Sequence, residues 1–171
     1  IQKDVTIFPN VFIGEGVKIN SGSSILPFCH LENCYVNKNA SIGPFARIRG
    51  NTVLSENSKI GNFVELKNVI SGKEVKINHL SYVGDTSIGK SSNIGAGSIT
   101  CNYDGYKKNK TSIGSNTFVG SNTTMVAPLK IGNNSTIGAG SVITEEVKNG
   151  DLAIGRKRQI NKKNRSITKK K

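Results

Sequence analysis

The hydrophobic positions of the chain recur every six residues, in four runs that are separated by short changes of phase. Eighteen of the twenty positions in these runs are Ile, Leu, Val or Met. A period of six fits neither the 3.6-residue turn of an amphipathic helix nor the two-residue alternation of an ordinary strand. It predicts a short strand followed by a corner, with one aliphatic side chain pointing inward on each face. The positions are Ile7, Ile13, Ile19, Ile25 and Leu31; Ile42, Ile48, Leu54, Ile60 and Leu66; Tyr82, Ile88, Ile94 and Thr100; and Ile113, Val119, Met125, Ile131, Ile137 and Ile143.

Glycine follows the aliphatic residue in many of these hexads, as in Ile42-Gly43 and Ile94-Gly95. Because glycine lacks a Cβ atom, it suits a tight corner between two strands. Three hexads would close a triangular coil of about 18 residues, and neighbouring coils would stack about 4.8 Å apart. The repeat therefore predicts an all-β fold, a parallel β-helix of hexapeptide type with roughly seven coils over residues 1–155. The period alone does not determine the handedness of the coil.

Two segments interrupt the repeat. The first lies between Leu66 and Tyr82 and contains Lys67 and His79, and the second begins with the letters CNYDGYKKNK at residues 101–110. A segment that leaves a regular scaffold is a common place for functional residues. We therefore expect a protruding loop near 101–112 and functional chemistry around both interruptions.

The formal net charge of +13 is concentrated at the C-terminal end. Nine Lys and Arg residues follow Asp151, the last acidic residue, which leaves 15 basic and 11 acidic residues in 1–155 and a net charge there of only +4. Residues 156–171 are therefore predicted to form a basic tail that is solvated or that grips a phosphate-rich small ligand. Nucleic acid is not favoured as a partner, because the body has few aromatic residues on which bases could stack.

No apolar run approaches the roughly 18 to 20 residues needed to span a bilayer, and no secretory signal is visible. We therefore expect a cytoplasmic protein with reduced thiols and no membrane insertion. The three cysteines and two histidines form no metal-binding pattern, so no metal site is expected.

Two motifs are more specific than a bare hexapeptide repeat. They are NHLSYVGD at residues 78–85 and NIGAGSITCNYDG at residues 93–105. Together with GPFARIR at 43–49, GNFVELK at 61–67 and VGS at 119–121, they make the chain resemble the C-terminal acetyltransferase domain of the bacterial bifunctional GlmU enzymes. The likeness is close from about residue 41 to 156 and looser over residues 1–40.

This resemblance implies a left-handed β-helix that assembles as a homotrimer, with each active site between subunits. It implies transfer of an acetyl group from acetyl-CoA to the amine of glucosamine 1-phosphate, in the synthesis of UDP-N-acetylglucosamine for peptidoglycan and lipopolysaccharide. Relatives in this family also carry an N-terminal uridyltransferase domain that uses UTP and Mg²⁺. The glycine-rich nucleotide loop of that domain is absent from this chain, so Mg²⁺ is expected only for the missing domain.

The resemblance also assigns roles to individual residues. His79 matches the catalytic base, a task that suits histidine because imidazole titrates near neutral pH. His30 is expected to be structural, and Glu65 is a further candidate partner for the histidine or the sugar. The residues that match the sugar-phosphate site are Arg49, Lys67, Tyr82 and Asn93. The residues that match the CoA site are Ala96, Asn102, Tyr103, Ser121, Ala139 and Arg156, with Lys108 as a possible helper in the same loop.

Other interpretations remain open from the sequence. The chain could be another hexapeptide acyltransferase, or a non-catalytic trimeric β-helix. A carbonic-anhydrase-like metal enzyme is disfavoured, because it needs about three histidine ligands per site. For an acetyltransferase, direct transfer is favoured over an acetyl-enzyme on Cys101, because no base or charge relay accompanies that thiol.

Overall fold

The computed structural model of the chain describes residues 1–161 as a continuous stack of short strands. Residues 162–171, which include most of the predicted basic tail, lie outside the described residues. Residues 1–161 contain no helix, and therefore none that could cross a membrane. The strands, in chain order, are β1 (Thr6–Ile7), β2 (Phe12–Ile13), β3 (Lys18–Ile19), β4 (Ser24–Ile25), β5 (His30–Leu31), β6 (Cys34–Val36), β7 (Ser41–Ile42), β8 (Arg47–Arg49), β9 (Thr52–Leu54), β10 (Lys59–Asn62), β11 (Glu65–Ser71), β12 (Lys76–His79), β13 (Tyr82–Ile88), β14 (Asn93–Ile94), β15 (Ile99–Cys101), β16 (Thr111–Ile113), β17 (Phe118–Val119), β18 (Thr124–Val126), β19 (Leu129–Ile131), β20 (Thr136–Ile137), β21 (Val142–Ile143) and β22 (Leu152–Ala153).

The strands lie on three faces of a triangular prism, and each pairs in parallel with the strands of neighbouring coils. The first face stacks β1, β4, β7, β10, β12, β14, β17, β20 and β22, and the second stacks β2, β5, β8, β11, β13, β15, β18 and β21. The third face begins with β3, β6 and β9, continues with the ends of β11 and β13, and finishes with β16 and β19. The nine strands of the first face mark eight coils, one more than the repeat predicted.

Three columns of aliphatic side chains fill the prism, one behind each face. Behind the first face, the register stacks Ile25, Ile42, Ile60, Ile77 and Ile94, each of which is at most 2% exposed. Burying a side chain of this size stabilises the fold by about 1.5–3 kcal/mol, so the columns are a major source of stability. The predicted fold class, an all-β parallel β-helix of hexapeptide type, is confirmed.

The repeat places Tyr82 in an inward column, and this position is wrong by one residue. Val83 is fully buried and pairs with Leu66 in the coil below, whereas Tyr82 pairs with Glu65 on the outer surface. The cause is a shortened corner, because the coils in this region advance by 17 residues, as from Leu66 to Val83. The shortening lies between the second and third faces, where five residues instead of six separate Val83 from the next inward residue, Ile88, so a six-residue count back from Ile88 points to Tyr82.

The corners are turned by residues in the left-handed backbone region. Seventeen of the described residues other than glycine have a positive φ, and nine of these are asparagine. Asparagine tolerates this region better than most residues, which explains why the chain is rich in asparagine as well as glycine. Buried hydroxyls of Ser98, Thr123 and Ser141 donate to corner carbonyls of Gly120 and Gly138. Carbonyl groups at the corners therefore accept hydrogen bonds from buried side chains, in addition to the backbone hydrogen bonds between stacked coils.

A final coil follows Ile143, the last aliphatic position of the repeat. Val147 is buried and bridges to β19, and β22 pairs with β20. The carbonyl of Gly155 then accepts a hydrogen bond from the N–H of Val142. The six-residue spacing does not find this coil, because the step from Ile143 to Val147 is four residues and the next inward residue is the small Ala153.

The expected protruding loop occupies residues 102–110, between β15 on the second face and β16 on the third. The carboxylate of Asp104 organises it by accepting hydrogen bonds from the N–H groups of Lys107 and Tyr106 and from the side chain of Asn109, at 2.8, 2.9 and 2.8 Å. These hydrogen bonds lower the pKa of Asp104 to about 2. At neutral pH the loop is therefore folded around an ionised carboxylate.

We expect Ile77→Ala to destabilise the coil stack strongly, because Ile77 is fully buried between Ile60 and Ile94. Truncating such a side chain costs about 2–5 kcal/mol. Ile70→Ala removes the same atoms from a side chain that is 62% exposed, and this should cost only about 0.5 kcal/mol. The urea midpoints of both variants and the unaltered chain, measured at one protein concentration, test this. Equal midpoints for the two variants would contradict the inward column.

Candidate active site

His79 lies at the end of β12, where the first face turns into the second. It pairs with Asn62 of β10 in the coil below, and its imidazole is exposed. The Nδ1 atom of His79 lies 2.7 Å from the Oδ1 atom of Asn62. Because an amide oxygen only accepts hydrogen bonds, Nδ1 carries the proton and donates it. The lone pair of Nε2 is then available to accept a proton from a substrate.

Three small residues continue the corner above His79. Ala96, Ser121 and Ala139 follow at intervals of one coil, because the backbone hydrogen bonds between coils at this corner fix their heights. At about 4.8 Å per coil, His79 and Ala139 are about 14 Å apart along the prism axis. We call this line of residues, on the corner between the first and second faces, the corner track.

Arg156 closes the upper end of the corner track. Its Nε atom donates a 2.8 Å hydrogen bond to the carbonyl oxygen of Ala139. In lower coils the carbonyl at the equivalent corner position accepts a hydrogen bond from a backbone N–H of the coil above. The Arg156 side chain takes the place of that N–H at the top of the track. The guanidinium is exposed and puts a positive charge beside the top of the track.

The predicted sugar-phosphate residues lie mostly on the second face, the face that follows His79 along the chain. Arg49 of β8 and Lys67 of β11 are stacked neighbours on its outer surface, and Tyr82 of β13 lies one coil above Glu65. The Nε atom of Arg49 donates to Oε1 of Glu65 at 2.7 Å, and both side chains are about one-third exposed. This ion pair holds the guanidinium through Nε and leaves its two Nη groups for another partner.

Lys67 lies near two other cations, Arg49 and Lys108, and we call these three residues the cationic cluster of the second face. Contact with Lys108 of the loop, together with partial desolvation, lowers the pKa of Lys67, although the charge of Asp85 acts in the opposite direction. Arg49 adds to the same positive field. An anionic ligand would relieve the mutual repulsion of these cations, so this part of the second face favours anion binding.

A group of amides around Asp85 joins the second face to the loop. Asn68 Nδ2 donates to the carboxylate at 2.7 Å, and Asn102 Nδ2 donates to its other oxygen. Although partial burial opposes ionisation, these hydrogen bonds lower the pKa of Asp85. Asn102 Nδ2 also lies 3.5 Å from the Tyr82 hydroxyl. Gly84 permits this arrangement, because a Cβ atom there would lie 2.5 Å from that hydroxyl and 2.7 Å from the amide nitrogen.

Two of the predicted residues belong neither to the corner track nor to the cationic cluster of the second face. Tyr103 projects from the loop with 60% of its surface exposed, and its hydroxyl donates to the carbonyl of Gly105 at 2.6 Å. Asn93 lies on the outer surface of the first face, between Lys76 below and Phe118 above. A single chain therefore does not bring Asn93 to the cationic cluster of the second face.

The remaining thiols and the second histidine show no comparable arrangement. Burial raises the pKa of Cys34 to about 12 and also raises that of Cys29, so both thiols are protonated at neutral pH. Cys101 is half-buried at the end of β15. His30 packs against Phe12 with ring centroids 4.4 Å apart. Within residues 1–161, no three His, Cys, Asp or Glu side chains form a group that could hold a metal ion.

Comparison with known proteins places the chain in a family. The family model of the GMPPB C-terminal domain matches residues 30–104, and the model of the bacterial transferase hexapeptide (six repeats) matches residues 110–145. The bifunctional protein GlmU of Wolbachia pipientis is 55% identical over 163 residues, which are 95% of this chain and 38% of that protein. The bifunctional protein GlmU of Bartonella quintana is 53% identical over 163 residues, 95% of this chain and 36% of that protein. The chain belongs to the GlmU family.

The chain spans well under half the length of these GlmU relatives and matches their C-terminal part. The fold also recurs in more distant solved structures. UDP-N-acetylglucosamine acyltransferase from Campylobacter jejuni has a TM-score of 0.54 at 18% identity, covering 88% of this chain and 71% of that one. The enzyme of the same name from Francisella novicida has a TM-score of 0.50 at 14% identity, covering 86% and 62%. At these identities the likeness concerns the fold alone.

Three residues of the candidate site are not identified by the sequence analysis: Asn62, Asn68 and Asp85. The signal that finds them is the local coil length of 17 residues. Asn62 precedes His79 by 17 residues, and Asp85 and Asn68 precede Asn102 by 17 and 34. Each spacing is one or two coils, so these side chains become vertical neighbours in the fold.

We expect the neutral imidazole of His79 to carry its proton on Nδ1, because Asn62 Oδ1 accepts a hydrogen bond there. Free imidazole side chains favour the Nε2–H tautomer, so Asn62→Ala should shift His79 toward that form. Long-range ¹H–¹⁵N NMR correlations distinguish the two tautomers. Asn68→Ala is the matched control, because it removes an amide that bonds to Asp85 and not to His79. An Nε2–H tautomer in the unaltered chain would contradict the assignment.

Proposed function

We propose that the chain is an acetyltransferase that moves an acetyl group from acetyl-CoA to the amine of glucosamine 1-phosphate. The product, N-acetylglucosamine 1-phosphate, would serve UDP-N-acetylglucosamine synthesis. The observation that carries the proposal is the vertical order of the corner track, with the Nε2 lone pair of His79 at the bottom and the Arg156 cation at the top. Acetyl-CoA is an extended molecule with the thioester at one end and phosphates at the other. It fits this order with the thioester beside His79 and the phosphates beside Arg156. Membership in the GlmU family supports the same activity.

In the proposed reaction the thioester lies beside His79. The imidazole Nε2 accepts a proton from the amine as the amine nitrogen attacks the thioester carbonyl. The new C–N bond forms, the C–S bond breaks, and the proton passes from His79 to the departing CoA thiolate. Ala96, one coil above, has an N–H that makes no hydrogen bond within residues 1–161, and we assign it as the donor to the developing oxyanion.

The cationic cluster of the second face would hold the sugar phosphate. Arg49 offers its Nη groups because Glu65 engages Nε, and a guanidinium fork matches two phosphate oxygens. Lys67 and Lys108 supply ammonium groups on the same side. Bound phosphate would also relieve the repulsion that lowers the pKa of Lys67. Tyr82, one coil above Glu65 on the same face, would contact the sugar.

We further propose a homotrimer in which each active site lies between two subunits. The support is Asn93, which lies on the first face and is cut off from the second-face cluster by a corner of the prism. A neighbouring copy would supply this residue. Asn102 and Tyr103 would contribute to the CoA side from the loop. In this arrangement residues 1–155 form the acetyltransferase domain, and the basic tail of 156–171 begins beside the CoA phosphates.

The relatives extend well beyond the matched region, which is 38% of the Wolbachia protein. A uridyltransferase activity that uses UTP and Mg²⁺ would belong to that further part. Together the two activities would supply a precursor of peptidoglycan and lipopolysaccharide, in the cytoplasm.

Incubation of the chain with acetyl-CoA and glucosamine 1-phosphate should release free CoA thiol, which a thiol reagent measures. His79→Ala should lower kcat by about 10²- to 10⁴-fold, as expected for loss of a general base. His30→Ala is the matched control, because His30 packs on Phe12 outside the corner track. It should leave kcat within about twofold, as for a surface change.

Three results would redirect the proposal. Thiol release that requires an amine but not the phosphate would indicate another hexapeptide acyltransferase. No release from a folded trimer would indicate a non-catalytic β-helix. An acetyl group on Cys101 after incubation without sugar, detected by mass spectrometry, would contradict direct transfer.

Arg156→Ala should raise the KM for acetyl-CoA about tenfold with little change in kcat, because one charge-assisted contact to a phosphate is lost. The same change removes the hydrogen bond to the Ala139 carbonyl. Arg158→Ala is the control, since Arg158 is exposed two residues further along the tail. Steady-state kinetics with acetyl-CoA varied at saturating sugar phosphate provide the measurement. An equal rise in KM for both variants would show a general effect of tail charge instead of a specific site.

A further inference from the structure

One corner of the prism carries large apolar residues at its left-handed positions. Between the first and second faces, successive coils place Phe28, Phe45, Phe63 and Leu80 there, with φ angles of 62°, 55°, 54° and 51°. The three rings stack with centroid distances of 4.9 and 5.2 Å and nearly parallel planes. We call these four residues the corner ladder.

The corner ladder is both exposed and conformationally unfavourable. Its side chains are 45% to 62% exposed. Bulky residues rarely adopt the left-handed region, and the equivalent positions at the other two corners hold residues such as Asn51 and Asn57. A strained, exposed row of aromatic side chains persists where another contact compensates for it. Residues 1–161 of one chain provide no such cover for the ladder.

Above Leu80 the same corner changes from a ridge to a trough. Its left-handed positions become Gly97, Asn122 and Gly140, so two glycines and one asparagine, whose side chain lies over Gly97, replace the large apolar residues. These residues run beside the corner track that begins at His79. A single corner thus presents an apolar ridge in its lower half and a shallow channel in its upper half.

We propose that the corner ladder lies at the three-fold axis of the trimer and packs against the ladders of two other copies of this chain. The inference rests on the homotrimer of the proposed function and identifies the surface that forms it. Copies related by an axis parallel to the prism place equal coils at equal heights, so each ring meets its own counterparts. This mutual contact compensates for the strain and exposure of the ladder.

An axis at this corner brings the first face of each copy opposite the second face of its neighbour. Asn93 of one copy then faces the second face of the next, one coil above the coil of Tyr82 and two above that of Lys67. Leu80, the top of the ladder, is adjacent in sequence to His79, so the subunit contact ends where the active site begins. An axis at either of the other corners would instead oppose the third face to one of these two. The trough above the ladder then remains open between copies for an extended cofactor.

The double variant Phe45→Asn/Phe63→Asn tests the ladder without opposing the fold. Asparagine favours the left-handed backbone that these positions require, so the coils should form normally. Loss of two central apolar contacts should weaken trimer formation by at least about 100-fold. Sedimentation velocity at micromolar concentration should show a trimer of the 18.3 kDa chain before the change and a monomer after it. Circular dichroism should show unchanged β structure. Ile70→Asn, at an exposed apolar residue of the third face, should remain trimeric.

A second measurement does not depend on dissociation. Phe45→Cys places one thiol per copy at the axis, and a mild oxidant should convert two of three chains to a disulfide-linked dimer. Asn57→Cys, at the corner between the third and first faces, should not cross-link at the same rate.

The outcomes separate this inference from the proposed function. A trimer that survives both asparagine substitutions and fails to cross-link at position 45 would overturn the ladder as the contact, while thiol release from acetyl-CoA continued. An unaltered chain that is monomeric and active would overturn the axis and the shared site but leave acetyl transfer standing. A monomeric, folded double variant with lost activity supports the ladder and the site between subunits together.

Discussion

Each coil of this protein is held at a fixed height by parallel backbone hydrogen bonds to the coils above and below it. Inside the stack a main-chain amide has no other partner, so the pairing cannot slip without a large loss. The vertical neighbours of any side chain therefore depend on the length of its coil. Residues that are 17 positions apart in sequence, such as Asn62 and His79, come into contact in the fold. The corner track is a direct result of this geometry, because its members share a corner and differ only in height.

The same regularity explains what the sequence predicts well. Inward positions such as Ile48 and Ile137 follow from the six-residue spacing, and both are at most 1% exposed. The spacing fails at Tyr82 because the corner between Val83 and Ile88 is one residue shorter than the repeat requires, and a shift of one residue decides which side chain faces the core. It fails at the last coil because Ala153 is too small to stand out as a core residue. Coil length is set by corner conformation, which hydrophobic periodicity does not encode.

The candidate site shows the same division between residue type and geometry. His79 is conspicuous because the chain has only two histidines, whereas Asn62 is one of twenty asparagines, nine of which turn corners with a positive φ. Lys108 approaches Lys67 because the loop of residues 102–110 folds around Asp104 and is tied to the second face through Asn102. Sequence distance across a loop carries no information about that approach. Local preference and function also conflict at Phe45 and its neighbours, where the corner conformation argues against an aromatic residue.

Because the coils stack, the number of coils at the bottom of the prism can change without changing the contacts in the coils above. Neither the corner ladder nor the candidate site uses β1, β2 or β3, since the lowest residue of either is Phe28. A coil gained or lost among these strands would leave every vertical neighbour from Phe28 to Arg156 in place. The first coils therefore act as a spacer that evolution can lengthen or shorten without redesigning the chemistry above it.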